Sequence, residues 1–233
     1  MSAILTRDQV RQVDHIAVNR YAIAGVVLME NAGRNASRII NRTYGPEGNV
    51  FICCGPGNNG GDGCVIARHL HNLGWSVRGL ITGAESQMTP DMLANYRIVK
   101  AMGLPLIIAS SGEEQLRAVG EMRNDDVVAD ALLGTGFRGQ VRSPTAELIE
   151  AINDAHKRAT VAIDLPSGLD CDTGEPSNAT IRADLTVTFV AKKMGFTLPA
   201  SVPFAGKVEV ADIGAPRGVI EEILASSAQH RSV

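Results

Sequence analysis

No run of apolar residues in this sequence is long enough to cross a bilayer, which takes about 20; stretches such as residues 22–29 fall far short. Dense blocks of Lys or Arg are also missing, and a formal net charge of −3 offers no electrostatic footprint for duplex nucleic acid or an anionic membrane surface. Cysteine is scarce. Cys53, Cys54, Cys64 and Cys171 include no CxxC pair and have no histidine at ligand spacing, which argues against a structural zinc site or a disulfide framework. We read them as small buried hydrophobes, with Cys53 and Cys54 closing an apolar run. The first eight residues lack both a basic region leading into an apolar one and an acid-free Arg/Ser-rich character, so the start is read as mature protein and the chain as cytoplasmic.

What is present is a 233-residue chain, 45% hydrophobic and 20% charged, able to bury one substantial core. We read residues 1–233 as one domain, with a polar tail from residue 226 expected to fray. Thr6 and Gln9 have the spacing of a capping box, and Val10, Val13, Ile16 and Ala17 follow at helical intervals, predicting an N-terminal helix. A second helix is predicted over residues 24–43, stopped by Gly45-Pro46. Beyond it, apolar runs at 49–54, 75–81, 105–109, 126–132, 160–165 and 184–190 alternate with helix candidates at 61–73, 89–102, 113–120 and 145–155. Buried strands alternating with helices imply right-handed crossovers and a mainly parallel sheet. The expected architecture is therefore a three-layer α/β/α sandwich around a Rossmann-like sheet, with two extra N-terminal helices. One further short strand is predicted within residues 208–214, and a short helix after Pro216.

In open parallel sheets ligands collect beyond the carboxyl ends of strands, so the segments following each strand are the place to look for chemistry. Residues 55–63 read Gly-Pro-Gly-Asn-Asn-Gly-Gly-Asp-Gly. The glycines permit close backbone approach, and a helix opening at Gly61 would turn its N-terminus to an anion. Gly55, Gly57 and Gly60 match the dinucleotide fingerprint, but the next strand ends Leu80-Ile81-Thr82-Gly83 without the acid that holds a ribose, and no Gly-Lys-Ser/Thr follows to make a Walker loop. Asn58, Asn59 and Asp62 add groups able to bind hydroxyls, amides or a metal ion. In the second segment Asp130 lies within a strongly apolar strand, where an ionised carboxylate is costly unless paired, hydrogen-bonded or bound to a cation. After it, Gly134, Gly136 and Gly139 shape a flexible loop in which Arg138 is available for a phosphate. The third segment places Asp164 at a strand's end and Ser167 in the turn after it. Pro166-Ser167-Gly168 is not the elbow of a serine hydrolase, and none of the five histidines has a triad context.

Taken together, these segments resemble the NAD(P)H-hydrate epimerase family, the N-terminal domain type of the YjeF proteins. The resemblance also takes in residues 28–33 (Leu-Met-Glu-Asn-Ala-Gly) and Lys193-Met194-Gly195, and so covers nearly the whole chain. It implies that Asn58, Asn59, Gly60, Gly61 and Asp62 bind a hydrated nicotinamide dinucleotide. Gly134, Thr135, Gly136, Phe137, Arg138, Gly139, Gln140 and Asp164 would complete that contact. It further implies a potassium ion held by Asn59, Asp130 and Ser167, hard oxygen donors that suit such a cation better than zinc. The implied reaction interconverts the R and S forms of NADHX and NADPHX, which carry a hydroxyl at C6 of the reduced ring. Loss of that hydroxyl to an iminium ion and return of water to the other face requires a proton donor and acceptor. We expect Asp130 in that role, with Lys193 as a second candidate, either as a charge partner or as a phosphate contact. Lys192 stands where family members often have proline. Implied partners are a separate ADP- or ATP-dependent dehydratase and a second copy of the chain, with Val26, Val27 and Leu28 available for a homodimer interface. Two other functions fit the same pattern: a non-catalytic dimerising scaffold, as in mRNA-decapping enhancer proteins of this fold, and an NAD-dependent oxidoreductase using residues 55–60 as a true Rossmann loop.

Overall fold

The computed structural model describes residues 3–230. A short strand β1 (Ile4–Leu5) leads into helices α1 (Arg7–Asn19) and α2 (Gly25–Tyr44). The core then alternates as β2 (Asn49–Cys54), α3 (Asn58–Asn72), β3 (Ser76–Thr82), α4 (Pro90–Ala101), β4 (Leu106–Ala109), α5 (Gly112–Val119), β5 (Asp126–Ala131), α6 (Thr145–Asp154), β6 (Ala159–Ile163) and β7 (Leu185–Phe189). β8 (Lys192–Lys193), α7 (Val202–Ala205), β9 (Lys207–Ala211) and α8 (Arg217–His230) complete it. The capping box forms as expected: Gln9 N–H donates to Thr6 Oγ1 and the Thr6 N–H to Gln9 Oε1. The expected frayed tail is corrected in part, since α8 carries residues 226–230 as helix; residues 231–233 lie outside the described residues.

Seven strands form one parallel sheet in the order β4-β3-β2-β5-β6-β7-β9. The chain builds outward from β2 to one edge, then returns and builds outward from β5 to the other. Its switch point lies between β2 and β5. The central strands are buried on both faces, so they read as continuous apolar runs, while the edge strands β4 and β9 are partly exposed. One core packs Val50, Ile52, Val127, Ala129 and Val161 beneath α2, α3 and α4. The other packs Phe51, Cys53, Val128 and Leu132 beneath α5 and α6.

The strand pair β1–β8 could not be read from sequence, because two residues carry no periodicity. It nonetheless fixes the N-terminal segment against the sheet. Lys192 N–H donates to Ala3 O at 3.1 Å, a bond that a proline at 192 could not make. Val10 and Val13 of α1 then pack with Ala191, Val219 and Ile223. Arg7, 2% exposed, donates from Nη2 to Asp170 Oδ2 at 2.8 Å and from its backbone to Asp172 Oδ1 at 2.7 Å. Desolvation would raise the Asp170 carboxyl, but the bonds from Arg7 and from the Thr173 and Asp172 backbone hold it down at about 2. α1 is thus tied to the turn that follows β6.

Candidate active site

A cleft of about 880 Å³ opens above the carboxyl ends of β2 and β5, at the switch point. Asn58, Asn59 and Asp62 of α3 line one part of it, residues 132–137 another, and Asp14, His15, Met29, Asp164, Phe189 and Lys193 the rest. Its size suits a ligand of nucleotide scale.

The segment 55–63 differs from its expected form. Only Gly55-Pro56-Gly57 is loop, and α3 begins at Asn58 rather than Gly61. The glycines inside the helix serve packing. A Cβ on Gly60 would lie 1.8 Å from Gly55 O, one on Gly61 2.6 Å from Met29 Sδ, and one on Gly63 2.6 Å from Cys54 Sγ. Gly60 and Gly61 therefore stay behind the cleft wall, and they bring the polarised N-terminus of α3 close to the sheet. Asn58 Oδ1 accepts from Thr89 Oγ1 at 2.6 Å. Neither polar atom of the buried Asn59 side-chain amide has a partner among the described residues.

Two neighbouring strands end in the same unusual turn. After β6, Leu165 N–H donates to Ile163 O at 2.9 Å around Asp164, whose φ is 67°. After β7, Ala191 N–H donates to Phe189 O at 2.7 Å around Val190, whose φ is 68°. These are three-residue γ-turns with left-handed centres, which cost of order 1–3 kcal/mol each at a non-glycine residue and persist where the surroundings over-determine them. Here both turns serve one ion pair. Lys193, fully buried, donates from Nζ to Phe189 O at 2.8 Å and meets Asp164 Oδ1 at 2.7 Å. Asp164 Oδ2 accepts from Thr135 N–H at 3.1 Å.

Two more carboxyls face this pair. Burial, reinforced by Asp164 and opposed by Lys193, lifts Asp14 to about 6. Burial together with Asp164 and Asp14 holds Asp62 well above the ordinary carboxylate range. Asp14 was invisible in the sequence because a polar residue on the outer stripe of an amphipathic helix reads as a solvated face. It does keep contact with solvent, through the cleft.

Asp130 sits apart from the cleft lining. Strand parity sets it with Val128 on the α5 and α6 side of the sheet, and it does not line the cleft. Its Oδ2 accepts from Ser167 N–H at 2.8 Å, and its Oδ1 from Ser167 Oγ at 2.6 Å and Leu132 N–H at 3.2 Å. Ser167 Oγ also accepts from Leu133 N–H at 2.9 Å. Burial pushes Asp130 up to about 6 against the pull of these bonds. The arrangement braces the loop that carries residues 132–135.

Residues 25–195 match the family model described as YjeF-related protein N-terminus. The chain belongs to this family. It is 39% identical over 94% of its length, and 87% of the relative, to a protein of Rhodopirellula baltica named NAD(P)H-hydrate epimerase. A protein of the same name from Pirellula staleyi is 41% identical over 96% of this chain and 97% of the relative. The bifunctional NAD(P)H-hydrate repair enzyme Nnr of Moorella thermoacetica is 40% identical over 93% of this chain, which spans 41% of that protein. The crystal structure of yeast ynu0 shares the fold, with a TM-score of 0.77 over 95% of this chain and 93% of that one at 20% identity.

Of the ligand residues that the family resemblance implies, Asn58, Asn59, Asp62, Gly134, Thr135, Gly136, Phe137 and Asp164 come together at the cleft. Arg138 and Gln140 line a separate shallow hollow beside it, and Gly139 lines neither. Arg138 is exposed, 3.8 Å from Asp8 of α1. Among the three apolar residues offered for an interface, Val26 and Val27 are exposed, whereas Leu28 is 6% exposed and belongs to the core. Among the described residues, no helix is long and apolar enough to cross a membrane.

Proposed function

We propose that this chain is an NAD(P)H-hydrate epimerase, interconverting the R and S forms of NADHX and NADPHX. One observation carries the reading beyond the family: a buried Lys193–Asp164 ion pair, built on two strained turns, faces a cleft of dinucleotide scale at the sheet's switch point. The N-terminus of α3, with Asn58 and Asn59 in its first turn, takes the pyrophosphate end. Residues 134–137 line the path toward Asp164, and the nicotinamide-derived ring lies against the ion pair. Asp164 replaces Asp130 as the proton-handling group. As a carboxylate fixed by Lys193 and Thr135, it takes a proton from the water returning to C6 and gives one back in the reverse direction. Lys193 orients that carboxylate through the 2.7 Å contact between them. The chemistry asks for no oxidant or reductant, since C6 loses and regains water at one oxidation level.

Potassium belongs to this reading. Asn59, Asp130 and Ser167 would hold it, and the unpartnered buried Asn59 amide is the structural feature that fits such a role. When bound, the cation would supply a fixed positive charge at this wall of the cleft. The reading also includes a cytoplasmic setting consistent with four buried, unbridged cysteines, and functional pairing with a dehydratase that consumes one epimer. A homodimer would use the exposed Val18, Tyr21, Val26 and Val27 at the α1–α2 junction.

The test is chiral chromatography of an R/S NADPHX mixture in the presence of a dehydratase specific for one epimer. With this protein added, the unused epimer is consumed to completion. If it persists at the level of a protein-free control, the epimerase reading fails.

A further inference from the structure

Inversion at C6 needs proton handling on both faces of the ring. The group that protonates the departing hydroxyl cannot also receive the proton from water arriving opposite. Asp164 provides one such group, held to the sheet. The remaining question is which other carboxyl reaches the cleft, and α1 supplies one.

Asp14 lines the same cleft as Asp164, Asp62 and Lys193, yet it comes from a helix rather than from a strand end. Its position is firmly set. α1 is capped at Thr6, tied through the buried Arg7 to Asp170 and Asp172, and packed on α8 through Val10 and Val13. Asp14 is exposed at the cleft, and its carboxyl accepts no hydrogen bond from the described residues, which leaves it open to a bound ligand. The charged and titratable groups facing it are Asp62 of α3, Asp91 before the second turn of α4, the Asp164–Lys193 pair, and Arg11 and His15 of its own helix.

Building on the epimerase reading, we propose that Asp14 is a second catalytic residue, the acid–base partner of Asp164, with one carboxyl serving each face of the C6 centre. In one direction the Asp14 carboxylic acid protonates the C6 hydroxyl, the C6–O bond breaks, and the N1 lone pair forms the iminium. Water then adds to C6 from the Asp164 side, and the Asp164 carboxylate accepts its proton. The ring is restored as the other epimer, with Asp14 ionised and Asp164 protonated, which is the state required for the reverse reaction. Transfer of one proton between the two carboxyls resets the site. The raised proton affinity of Asp14 suits the acid role, and the salt bridge of Asp164 suits the base role.

The experiment follows R/S exchange with purified single epimers of NADPHX against a protein-free control, for the wild type and for Asp14→Asn, over pH 5–8. In the wild type, kcat falls as pH rises through the Asp14 titration near 6. Asp14→Asn lowers kcat by roughly 10²–10³-fold, leaves KM within about twofold, and abolishes that descending limb. A folded Asp14→Asn with wild-type kcat overturns the proposal. Should that variant melt early, Asp14→Glu decides: the descending limb moves with the changed carboxyl if Asp14 is the acid, and an unmoved limb overturns the proposal. A wild type without any exchange would instead sink the epimerase reading itself, so the two failures are distinct.

Discussion

Asp130 and Asp164 sit at the ends of adjacent parallel strands, on one register, and differ in nearly everything else. Asp130 pairs laterally with Ala162, two residues before Asp164. Had β6 continued as regular strand, Asp164 would point to the same face as Asp130, because side chains two apart share a face. The left-handed γ-turn at Asp164 breaks that parity and turns its carboxyl toward Lys193 and the cleft. Asp130 stays in the pleat, where its hydrogen bonds from Ser167 and Leu132 hold the neighbouring loop. One buried acid thus holds a loop and the other is turned toward the cleft, and a single backbone dihedral separates the two outcomes.

The largest effect should come from Asp164→Asn. Removing one partner of a buried ion pair leaves Lys193 charged and unpaired, a loss of about 3 kcal/mol of stability. R/S exchange should fall roughly 10³-fold, equivalent to about 4 kcal/mol of barrier. Thermal melting and single-epimer kinetics measure the two separately; a folded variant within tenfold of wild-type exchange would show that Asp164 does not handle the proton. Asp130→Ala should do the reverse. It strands the Ser167 and Leu132 N–H groups, at about 3 kcal/mol together, while exchange in the folded fraction drops far less than in Asp164→Asn. The cation adds a sign. Folding raises Asp130 from 3.8 to about 6, so its contribution to stability is fully present below its unfolded value and is lost as pH rises through 6. A potassium ion at the proposed site would offset that loss. The gain in Tm on replacing tetramethylammonium by potassium should therefore grow from pH 4 to 7 in the wild type and vanish in Asp130→Ala. A gain that survives the substitution would remove Asp130 from the cation site.

Much of this was legible in the sequence, and the failures have physical causes. The apolar runs and their alternation with helices placed β2 to β7 within one or two residues, because strands buried on both faces leave continuous apolar text; the half-exposed edge strand β9 ends three residues before its expected segment does. The same continuity hid the orientation of Asp130: where both faces are apolar, no alternation reveals which way a residue points. The start of α3 was set three residues late because glycine ordinarily weakens helices, whereas Gly60, Gly61 and Gly63 are selected here for contacts with Gly55, Met29 and Cys54. The γ-turns at Asp164 and Val190 have no signature, since neither residue is one that favours a left-handed backbone as glycine does. Asp14 enters the site only through the β1–β8 pairing and the Arg7 bonds, contacts between residues more than 160 positions apart.

The smallest of the expected effects probes the space between the two functional halves of the cleft. Gly134 lies between Asn59 and Asp164: a Cβ placed on it would stand 3.2 Å from Asn59 Cβ and 3.2 Å from Asp164 Oδ2. Those contacts are tight without being impossible, so something must yield by a few tenths of an ångström. Asp164 is held by Lys193 and by Thr135 N–H, whereas the Asn59 amide has no hydrogen-bond partner among the described residues and yields first. Gly134→Ala should therefore displace Asn59 away from Asp164, with stability changed by less than about 1 kcal/mol. Because positional errors well below 1 Å at a reacting centre already cost rate, kcat/KM should fall about tenfold. If Tm drops by many degrees instead, Asp164 and its ion pair have yielded. If exchange is unchanged, the separation of Asn59 from Asp164 does not set the reaction geometry, and the ligand must span the cleft by another path.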